Sequence, residues 1–248
     1  MRIAIVTAII GSNEKLSDPP IFHSDCDYVA FVDRMHENIR FWKQILVGSY
    51  SENAFFRDRI DSKIYKILPE VFLPEYDFYA WVDAAHAYQT SPKKLIAQAG
   101  RFDYLVFRHG KRNSVTSELG IVAILGYDRF SNLIRFFLAL KRTGDFDCDL
   151  FELTAFIKRR SDITRFSSIS WLEYIFRYSS RDQLSFPLVV KRFNLELKYM
   201  RGKINTGQLF DNCDVIQFKE HIPSDSGKAS SVFRRLLIKI LVVVRLVK

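Results

Sequence analysis

An acidic residue that ends an apolar, aromatic segment is the part of this sequence best suited to catalytic chemistry. Residues 79–82 read Tyr-Ala-Trp-Val, and Asp83 follows them directly. A carboxylate in that place can bind Mg²⁺ or Mn²⁺, and the cation then neutralises the charge of a leaving diphosphate. A second carboxylate two residues further on would strengthen this interpretation, but that position is Ala85. An ordinary acidic residue at a strand end is therefore the alternative.

A row of basic residues upstream could bind the same diphosphate. Arg59, Lys63 and Lys66 are spaced four and three residues apart, so they share one face of a helix. Guanidinium and ammonium groups donate hydrogen bonds that suit phosphate oxygens. A solvated basic helix face is the alternative interpretation.

Two later segments carry polar side chains that suit a sugar. His109 and Arg112 follow a predicted strand and could contact phosphate or sugar hydroxyls, or form a basic surface loop. Asp182 and Gln183 open a predicted helix, from which they could point at a sugar. Asp182 would also complement the dipole of that helix without any role in catalysis.

The elements that must position these side chains alternate between strands and helices in the first part of the chain. Apolar segments rich in β-branched and aromatic residues predict strands, and amphipathic segments with capping residues predict helices. The predicted strands cover 3–10, 28–32, 41–47, 76–82, 104–107 and 214–218, and the predicted helices cover 53–67, 92–100, 130–144, 171–178 and 182–193. Three strands end near Asp33, Asp83 and His109. Because ligands bind at the carboxyl ends of strands in open α/β sheets, this repetition predicts a site there.

Composition and missing motifs exclude several classes of protein. The chain has 248 residues, of which 48% are hydrophobic and 26% charged, which excludes a disordered chain. Three cysteines without a CxxC pair argue against a disulfide framework or a zinc ribbon and favour a reducing compartment. The sequence has no glycine-rich dinucleotide or P-loop fingerprint, no GxSxG or HExxH motif, and no RRM or zinc-finger signature. No segment has the length and apolar character of a membrane-spanning helix.

The net charge of +9 is concentrated at one end of the chain. Residues 226–248 contain six basic residues and no acidic one, and without them the net charge falls to +3. We therefore expect a catalytic domain over residues 1–225 and a basic extension over 226–248. Residues 232–248 are amphipathic when placed on a helix, which suits an anionic membrane surface, whereas a buried closing strand is the alternative. No nucleic-acid partner is expected.

The order of these segments resembles that of a glycosyltransferase-like family, formerly a domain of unknown function, which occurs in plant mucilage-type proteins and in bacterial surface-polysaccharide loci. The matching segments are 6–11, 28–33, 66–69, 76–83, 109–112, 171–173 and 180–186. The resemblance implies an α/β fold of the GT-A type, in which a central, mostly parallel sheet flanked by helices binds a nucleotide sugar. It also implies a UDP-sugar, such as a UDP-hexose, as the donor.

The resemblance further implies roles for single residues. The residues implied to bind the nucleotide-sugar donor are Thr7, Ala8, Gly11, Asp33, Arg59, Lys63, Lys66, Asp83, His109, Arg112 and Gln183. Asp83 would bind a divalent cation, Mn²⁺ or Mg²⁺, with His221 or His86 as a further ligand; alternatively, the basic residues would replace the cation. An inverting transfer needs a carboxylate base near the acceptor hydroxyl, for which Asp182 is the first candidate and Glu152 the second.

We therefore expect a glycosyltransferase that moves a sugar from a nucleotide-sugar donor to a glycan or lipid-linked acceptor in the synthesis of surface polysaccharide, such as capsule, O-antigen or lipopolysaccharide. Its expected location is cytoplasmic, peripheral on the inner face of the plasma membrane. One alternative is a non-catalytic basic module that binds anionic lipid or nucleic acid. Another is a nucleotidyltransferase, which the absence of a glycine-rich loop after the first strand disfavours.

Overall fold

The computed structural model of the protein describes residues 1–11, 14–48, 57–110, 112–144, 148–201 and 215–218. The strands in these ranges are β1 (Ile3–Ile9), β2 (Asp27–Val32), β3 (Lys43–Leu46), β4 (Phe78–Val82), β5 (His86–Tyr88), β6 (Tyr104–Arg108), β7 (Phe151–Arg159), β8 (Leu197–Tyr199) and β9 (Ile216–Phe218). The helices are α1 (Arg57–Ile67), α2 (Pro69–Phe72), α3 (Pro92–Ala99), α4 (Val115–Leu125), α5 (Phe130–Thr143), α6 (Asp162–Arg177) and α7 (Asp182–Phe193).

Seven strands form one sheet in the order β3-β2-β1-β4-β7-β6-β8, and β5 pairs with β9 in a second, smaller sheet. Strands β1 to β4 run parallel, as do β6 and β8, whereas β7 is antiparallel to both of its neighbours. Strands β1 and β2 are buried along almost their whole length, which explains why their sequences are largely apolar. The prediction of an α/β fold with a mostly parallel central sheet is confirmed.

The antiparallel direction of β7 places its first residues beside the ends of its two neighbours. Val82, at the end of β4, pairs with Ala155, and Phe107, near the end of β6, pairs with Glu152. The start of β7 therefore lies at the same edge of the sheet as the carboxyl ends of β1, β2, β4 and β6. We call this the carboxyl edge, and its acidic and histidine residues are Asp33, Asp83, His109 and Glu152.

Strand β7 and the first half of α6 differ from the sequence-based expectation. The pattern does not predict β7, because the polar residues Glu152, Thr154 and Lys158 interrupt its apolar sequence although the strand is almost entirely buried. Helix α6 begins at Asp162, well before the predicted start at residue 171. Ser161 caps this helix in a capping box with Thr164, which explains the earlier start.

The central sheet separates two hydrophobic cores. On one face, α1, α6 and α7 pack on the sheet through side chains that include Tyr65, Trp171 and Phe186. On the other face, α3 and the small sheet pack through side chains that include Leu95 and Tyr88. Helices α1 and α7, which carry the predicted basic row and the predicted sugar-binding pair, thus lie on the same face.

A buried lysine fastens the helices of that face to the sheet. Lys158 of β7 is fully buried, and its Nζ donates to Oε1 of Glu70 at 2.7 Å and to the carbonyl of Ile67 at 2.9 Å. It also donates to the hydroxyl of Ser168 on α6 at 2.6 Å. All three ammonium hydrogens thus have partners, which a buried charge requires.

Several predicted features lie outside the described residues, namely the extension 226–248, His221 and the start of the helix predicted over 53–67. Within the described residues, no helix combines the length and the apolar character needed to cross a membrane.

Candidate active site

Two lysines of α1 share one carboxylate oxygen of α7. Nζ of Lys63 lies 2.7 Å from Oδ2 of Asp182, and Nζ of Lys66 lies 2.8 Å from the same atom. The spacing of three residues puts both ammonium groups on one side of α1. Asp182 is the first residue of α7, where the helix dipole favours a negative charge. The three side chains, which we call the lysine–aspartate cluster, are at most 15% exposed.

This cluster shifts the acidity of its members in different directions. Burial alone would raise the pKa of Asp182, but Lys63 and Lys66 outweigh it and hold that pKa well below its usual range. Burial lowers the pKa of Lys63 to about 8, against the opposing effect of Asp182. A carboxylate held in this way is a weak proton acceptor, so the arrangement does not suit the predicted role of Asp182 as a general base.

Asp83 lies beside the cluster at the end of β4. Its backbone N–H donates to the carbonyl of Thr154 at 2.9 Å, which holds the residue against β7. Its Oδ1 accepts a hydrogen bond of 2.8 Å from the indole N–H of Trp81 and lies 3.6 Å from Nζ of Lys66. Its side chain is 45% exposed, so Asp83 faces solvent while the lysine–aspartate cluster is buried behind it.

Glu152 is a more deeply buried carboxyl group at the carboxyl edge. Its Oε1 accepts hydrogen bonds from the hydroxyl of Thr154 at 2.8 Å and from Nε2 of Gln183 at 2.9 Å. Its Oε2 is also buried, accepts no hydrogen bond from the described residues, and lies 3.9 Å from Nε2 of His109. Burial raises the pKa of Glu152. Oε1 of Glu152 is therefore held by two hydrogen bonds, whereas Oε2 remains able to accept one.

The loop after β6 brings the predicted pair His109 and Arg112 together. The backbone N–H of Arg112 donates to Nδ1 of His109 at 3.0 Å. The guanidinium of Arg112 forms an ion pair with Glu118 of α4. The histidine is thus held at the carboxyl edge by its own loop, and the arginine ties that loop to α4.

Arg59 lies on the same face of α1 as the two lysines but binds elsewhere. Its Nη1 donates to the carbonyl of Tyr127 at 2.8 Å, and the guanidinium of Arg181 lies 5.1 Å from the centre of the Tyr127 ring. The neighbouring Asp128 is buried and accepts hydrogen bonds from the backbone N–H of Ser180 and from the hydroxyl of Ser179. These contacts fix the turn that leads into α7 and so position Asp182.

The residues after and within the first two strands that are predicted to bind the donor lie in two different settings. At the carboxyl edge, Oδ2 of Asp33 accepts a hydrogen bond of 2.6 Å from the backbone N–H of Gly11, whose φ of +61° favours glycine. Ala8 is half-buried, and Thr7 is fully buried within β1. The structure therefore joins Gly11 to Asp33 and places the Thr7 side chain inside the fold.

The described residues do not fit a divalent cation. They contain no group of three or more histidine, cysteine or acidic side chains placed to bind one. Asp83 offers one carboxylate, Ala85 stands where a second was expected, and the ammonium of Lys66 lies 3.6 Å from Oδ1 of Asp83. His221 lies outside the described residues, so a metal site that includes it stays a prediction.

Sequence reasoning misses two residues that shape the site, Thr154 and Asp128. Thr154 stands two residues after Glu152, and alternate residues of a strand share a face, so recognising β7 would have revealed it. Asp128 precedes α5, and its contacts with the turn before α7 leave no signal in the local sequence.

A cavity of about 610 Å³ is lined by residues of α7, of β8 and of the start of β7. Its lining includes Phe151, Val190 and Tyr199, and none of the predicted site residues contributes to it. The candidate site is therefore the carboxyl edge with the lysine–aspartate cluster, rather than this cavity.

The chain is similar to solved structures of glycosyltransferases. Mouse xyloside xylosyltransferase 1 in its apo form shares 10% identity, with a TM-score of 0.45 over 79% of this chain and 84% of that one. The mannosyltransferase Ktr4p of S. cerevisiae shares 10% identity, with a TM-score of 0.45 over 83% of this chain and 70% of that one. Core-mannan synthase A of Aspergillus fumigatus, in a Mn/GDP form, shares 9% identity, with a TM-score of 0.45 over 86% and 81%.

No curated protein matches the chain in sequence. Residues 24–223, most of the chain, match the sequence model of the TOD1/MUCI70, glycosyltransferase-like domain. This match confirms the resemblance predicted from the order of the sequence segments, and with it a glycosyltransferase-like protein. The chain belongs to the TOD1/MUCI70 family of glycosyltransferase-like domains.

Proposed function

We propose that the chain transfers a sugar from a nucleotide-sugar donor, a UDP-hexose, to a hydroxyl of a glycan or lipid-linked acceptor. One observation carries this proposal. The ammonium groups of Lys63 and Lys66 are gathered on one oxygen of Asp182 at the carboxyl edge, next to the solvent-facing Asp83. Paired ammonium groups at such an edge suit the diphosphate of a nucleotide sugar.

The hydrogen bonds of the cluster leave donors for phosphate. An ammonium group has three N–H donors, and Oδ2 of Asp182 accepts one from each lysine. Lys63 is the more exposed of the two, with 15% of its side chain accessible against 3% for Lys66. Lys63 therefore contacts the phosphate oxygens directly, and Lys66 adds its charge from behind.

The residues on either side of the lysine–aspartate cluster suit the nucleoside and the sugar of the donor. The turn formed by Gly11 and Asp33 supports a nucleoside on one side, as the family resemblance implies. His109, Glu152 and Gln183 lie on the other side, where a sugar would follow the diphosphate. No step of this proposal passes through a metal ion, because the described residues do not form a site for one.

The biological setting is a further part of the proposal. The sequence resemblance to surface-polysaccharide proteins supports a role in the synthesis of such a polysaccharide. The six basic residues within 226–248, with no acidic one among them, support binding to an anionic membrane surface. The enzyme would then work at the inner face of the plasma membrane on a lipid-linked acceptor.

Thermal unfolding of the full-length chain with UDP, GDP, CMP and their sugars tests the proposal. A nucleotide at about 100 times its Kd stabilises a protein by about 2.7 kcal/mol. At roughly 2–4 °C per kcal/mol for a chain of this size, the expected rise in Tm is about 5–10 °C. No rise with any nucleotide, with or without Mn²⁺, would refute the proposal.

A matched pair of variants assigns the binding to the cluster. Lys63→Met removes a charged donor and is expected to weaken UDP binding about 10- to 100-fold, since a hydrogen bond to a charged group contributes about 1.5–3 kcal/mol. Lys94→Met, on the exposed side of α3, removes the same charge away from the site and is expected to leave UDP affinity unchanged. Equal affinities of the two variants would remove Lys63 from the donor site.

A further inference from the structure

The two buried carboxyl groups of the site differ in what holds their oxygens. Oδ2 of Asp182 is shared by two ammonium groups, so its charge is compensated. Oε1 of Glu152 accepts two neutral hydrogen bonds, from Thr154 and Gln183. Oε2 of Glu152 accepts none from the described residues, although only 3% of the side chain is exposed. Leaving a buried acceptor unbonded costs free energy, and native structures keep few such groups, so this oxygen points to a ligand that donates to it.

The groups around Glu152 leave that oxygen available. The charged or titratable groups around it are His109 and Arg112 after β6, Asp83 after β4, Lys66 on α1 and Asp182 on α7. Nε2 of His109 lies 3.9 Å from Oε2, which is too long for a hydrogen bond.

The pKa of Glu152 also suits a proton acceptor better than the pKa of Asp182 does. Burial raises its pKa, and Asp83 and Asp182 act in the same direction, whereas Thr154 and Lys66 act against them. General bases work best when their pKa lies near the working pH. The pKa of Asp182, by contrast, is held far below that range.

We propose that Glu152 is the catalytic base of the transfer, an inference that rests on the proposed function. Oε2 accepts the proton of the acceptor hydroxyl while the hydroxyl oxygen forms a bond to the anomeric carbon of the donor sugar. The bond from that carbon to the diphosphate oxygen breaks, and its electron pair leaves with the nucleoside diphosphate. The proton then passes from Glu152 to water. This single displacement inverts the configuration at the anomeric carbon.

Thr154 and Gln183 are positioning residues in this scheme. Both donate to Oε1, which keeps the carboxyl group from rotating and directs Oε2 away from them. Their hydrogen bonds also stabilise the charged carboxylate, which is the form that accepts a proton.

Kinetics of the full-length chain, with the sugar nucleotide that gives the largest thermal shift as donor, test the proposal. Glu152→Gln keeps the shape of the side chain and removes its basicity, so kcat is expected to fall about 100-fold or more. The affinity for the corresponding nucleoside diphosphate is expected to stay within about twofold, because the hydrogen bonds of Glu152 go to Thr154 and Gln183 rather than to the lysine–aspartate cluster. Glu173→Gln, on the exposed face of α6, is the matched control and is expected to match the parent chain.

The pH profile separates a base from a structural residue. Thr154→Val removes a hydrogen bond that lowers the pKa of Glu152, so the acidic limb of the kcat profile is expected to move to higher pH. The anomeric configuration of the product, read by NMR, is expected to be inverted relative to the donor.

Specific results would overturn the inference. A Glu152→Gln variant that keeps more than about a tenth of the parental kcat would do so, because general-base catalysis contributes more than that. The inference would also fail if Glu152→Gln lost nucleotide affinity by as large a factor as it lost kcat. It would fail as well if the acidic limb of the pH profile did not move in Thr154→Val, or if the product retained the configuration of the donor. A parent chain that binds no nucleotide would instead refute the proposed function, and this inference with it.

Discussion

Replacing Asp182 by asparagine tests the central electrostatic feature of the site. The carboxylate holds the ammonium groups of Lys63 and Lys66 at 2.7 and 2.8 Å, and its side chain is 8% exposed. Asparagine keeps the shape of the side chain but leaves both ammonium groups without their buried counter-ion. The nearest remaining carboxylate is that of Asp83, 3.6 Å from Nζ of Lys66.

The size of the effect follows from two independent arguments. Removing one partner of a buried ion pair costs about 3–5 kcal/mol. Burial already lowers the pKa of Lys63 to about 8, so this lysine can lose its proton in the variant instead of staying charged. The free energy of that deprotonation is therefore an upper limit to the loss of stability. Deprotonating a lysine of ordinary pKa at pH 7 costs about 5 kcal/mol, at about 1.4 kcal/mol per pKa unit. We expect a loss of about 4 kcal/mol and, at roughly 2–4 °C per kcal/mol, a fall in Tm of about 8–16 °C.

The matched control is Asp162→Asn. Asp162 is the first residue of α6, as Asp182 is of α7, but it is exposed. The interaction of its charge with the dipole of α6 stabilises the fold by about 0.3–1 kcal/mol, so its replacement should lower Tm by no more than about 4 °C. Calorimetry of both variants at pH 7 provides the comparison, and Asp182→Asn melting as high as Asp162→Asn would refute the reasoning.

The dependence on pH provides a second check. The folded pKa of Asp182 is depressed, so its stabilisation is complete above the ordinary value of 3.8 and is lost as pH falls below it. The difference in stability between the parent chain and Asp182→Asn should therefore shrink below about pH 4. It should also shrink as the pH rises toward about 8, because Lys63 loses its proton at a lower pH in the variant than in the parent chain, where its pKa is about 8.

Three further predictions concern the cation, the fold and the basic extension. Chelation of divalent cations is expected to change UDP affinity less than about threefold, since the ammonium of Lys66 already lies 3.6 Å from Oδ1 of Asp83. A tenfold loss that Mn²⁺ reverses would contradict this and implicate His221. Lys158→Met is expected to lower the free energy of unfolding by about 3–5 kcal/mol, because Glu70 is then left buried without its counter-ion. The double variant Lys158→Met, Glu70→Leu should regain most of that free energy. Equal losses of stability for the single and the double variant in urea unfolding would disprove the argument. Deleting the residues after Gly227 is expected to abolish sedimentation of the protein with anionic vesicles and to leave UDP affinity unchanged. Undiminished sedimentation would show that the extension is not the membrane contact.

Local sequence patterns predict much of the first half of the fold. The largely apolar runs of β1, β2 and β4 are recognisable because both faces of these strands are buried, so no charged residue lies within them after the first position. The start of α3 is recognisable because Ser91 and Pro92 form a local cap, in which the Ser91 hydroxyl accepts from the N–H of Lys93.

The candidate site is predicted less completely, because its most important contacts join distant parts of the chain. The spacing of Lys63 and Lys66 predicts a shared helix face, and the structure confirms it. Their partner Asp182 stands more than one hundred residues away, and no local pattern connects it to α1. Asp182 therefore reads from sequence as a candidate base, whereas its surroundings make it the counter-ion of two lysines.

The sequence by itself determined the α/β class, the family, the polar ends of the strands and the basic face of α1. Each of these depends on residues close together in the chain, whose periodicity reflects which side chains are buried. Only the tertiary structure decided the antiparallel insertion of β7, which brings Glu152 beside Asp83 and His109. It also decided that Asp182 carries a compensated charge while Oε2 of Glu152 stays able to accept a proton. Such differences arise from burial and from nearby charges, which depend on the packing of the whole chain rather than on any local segment.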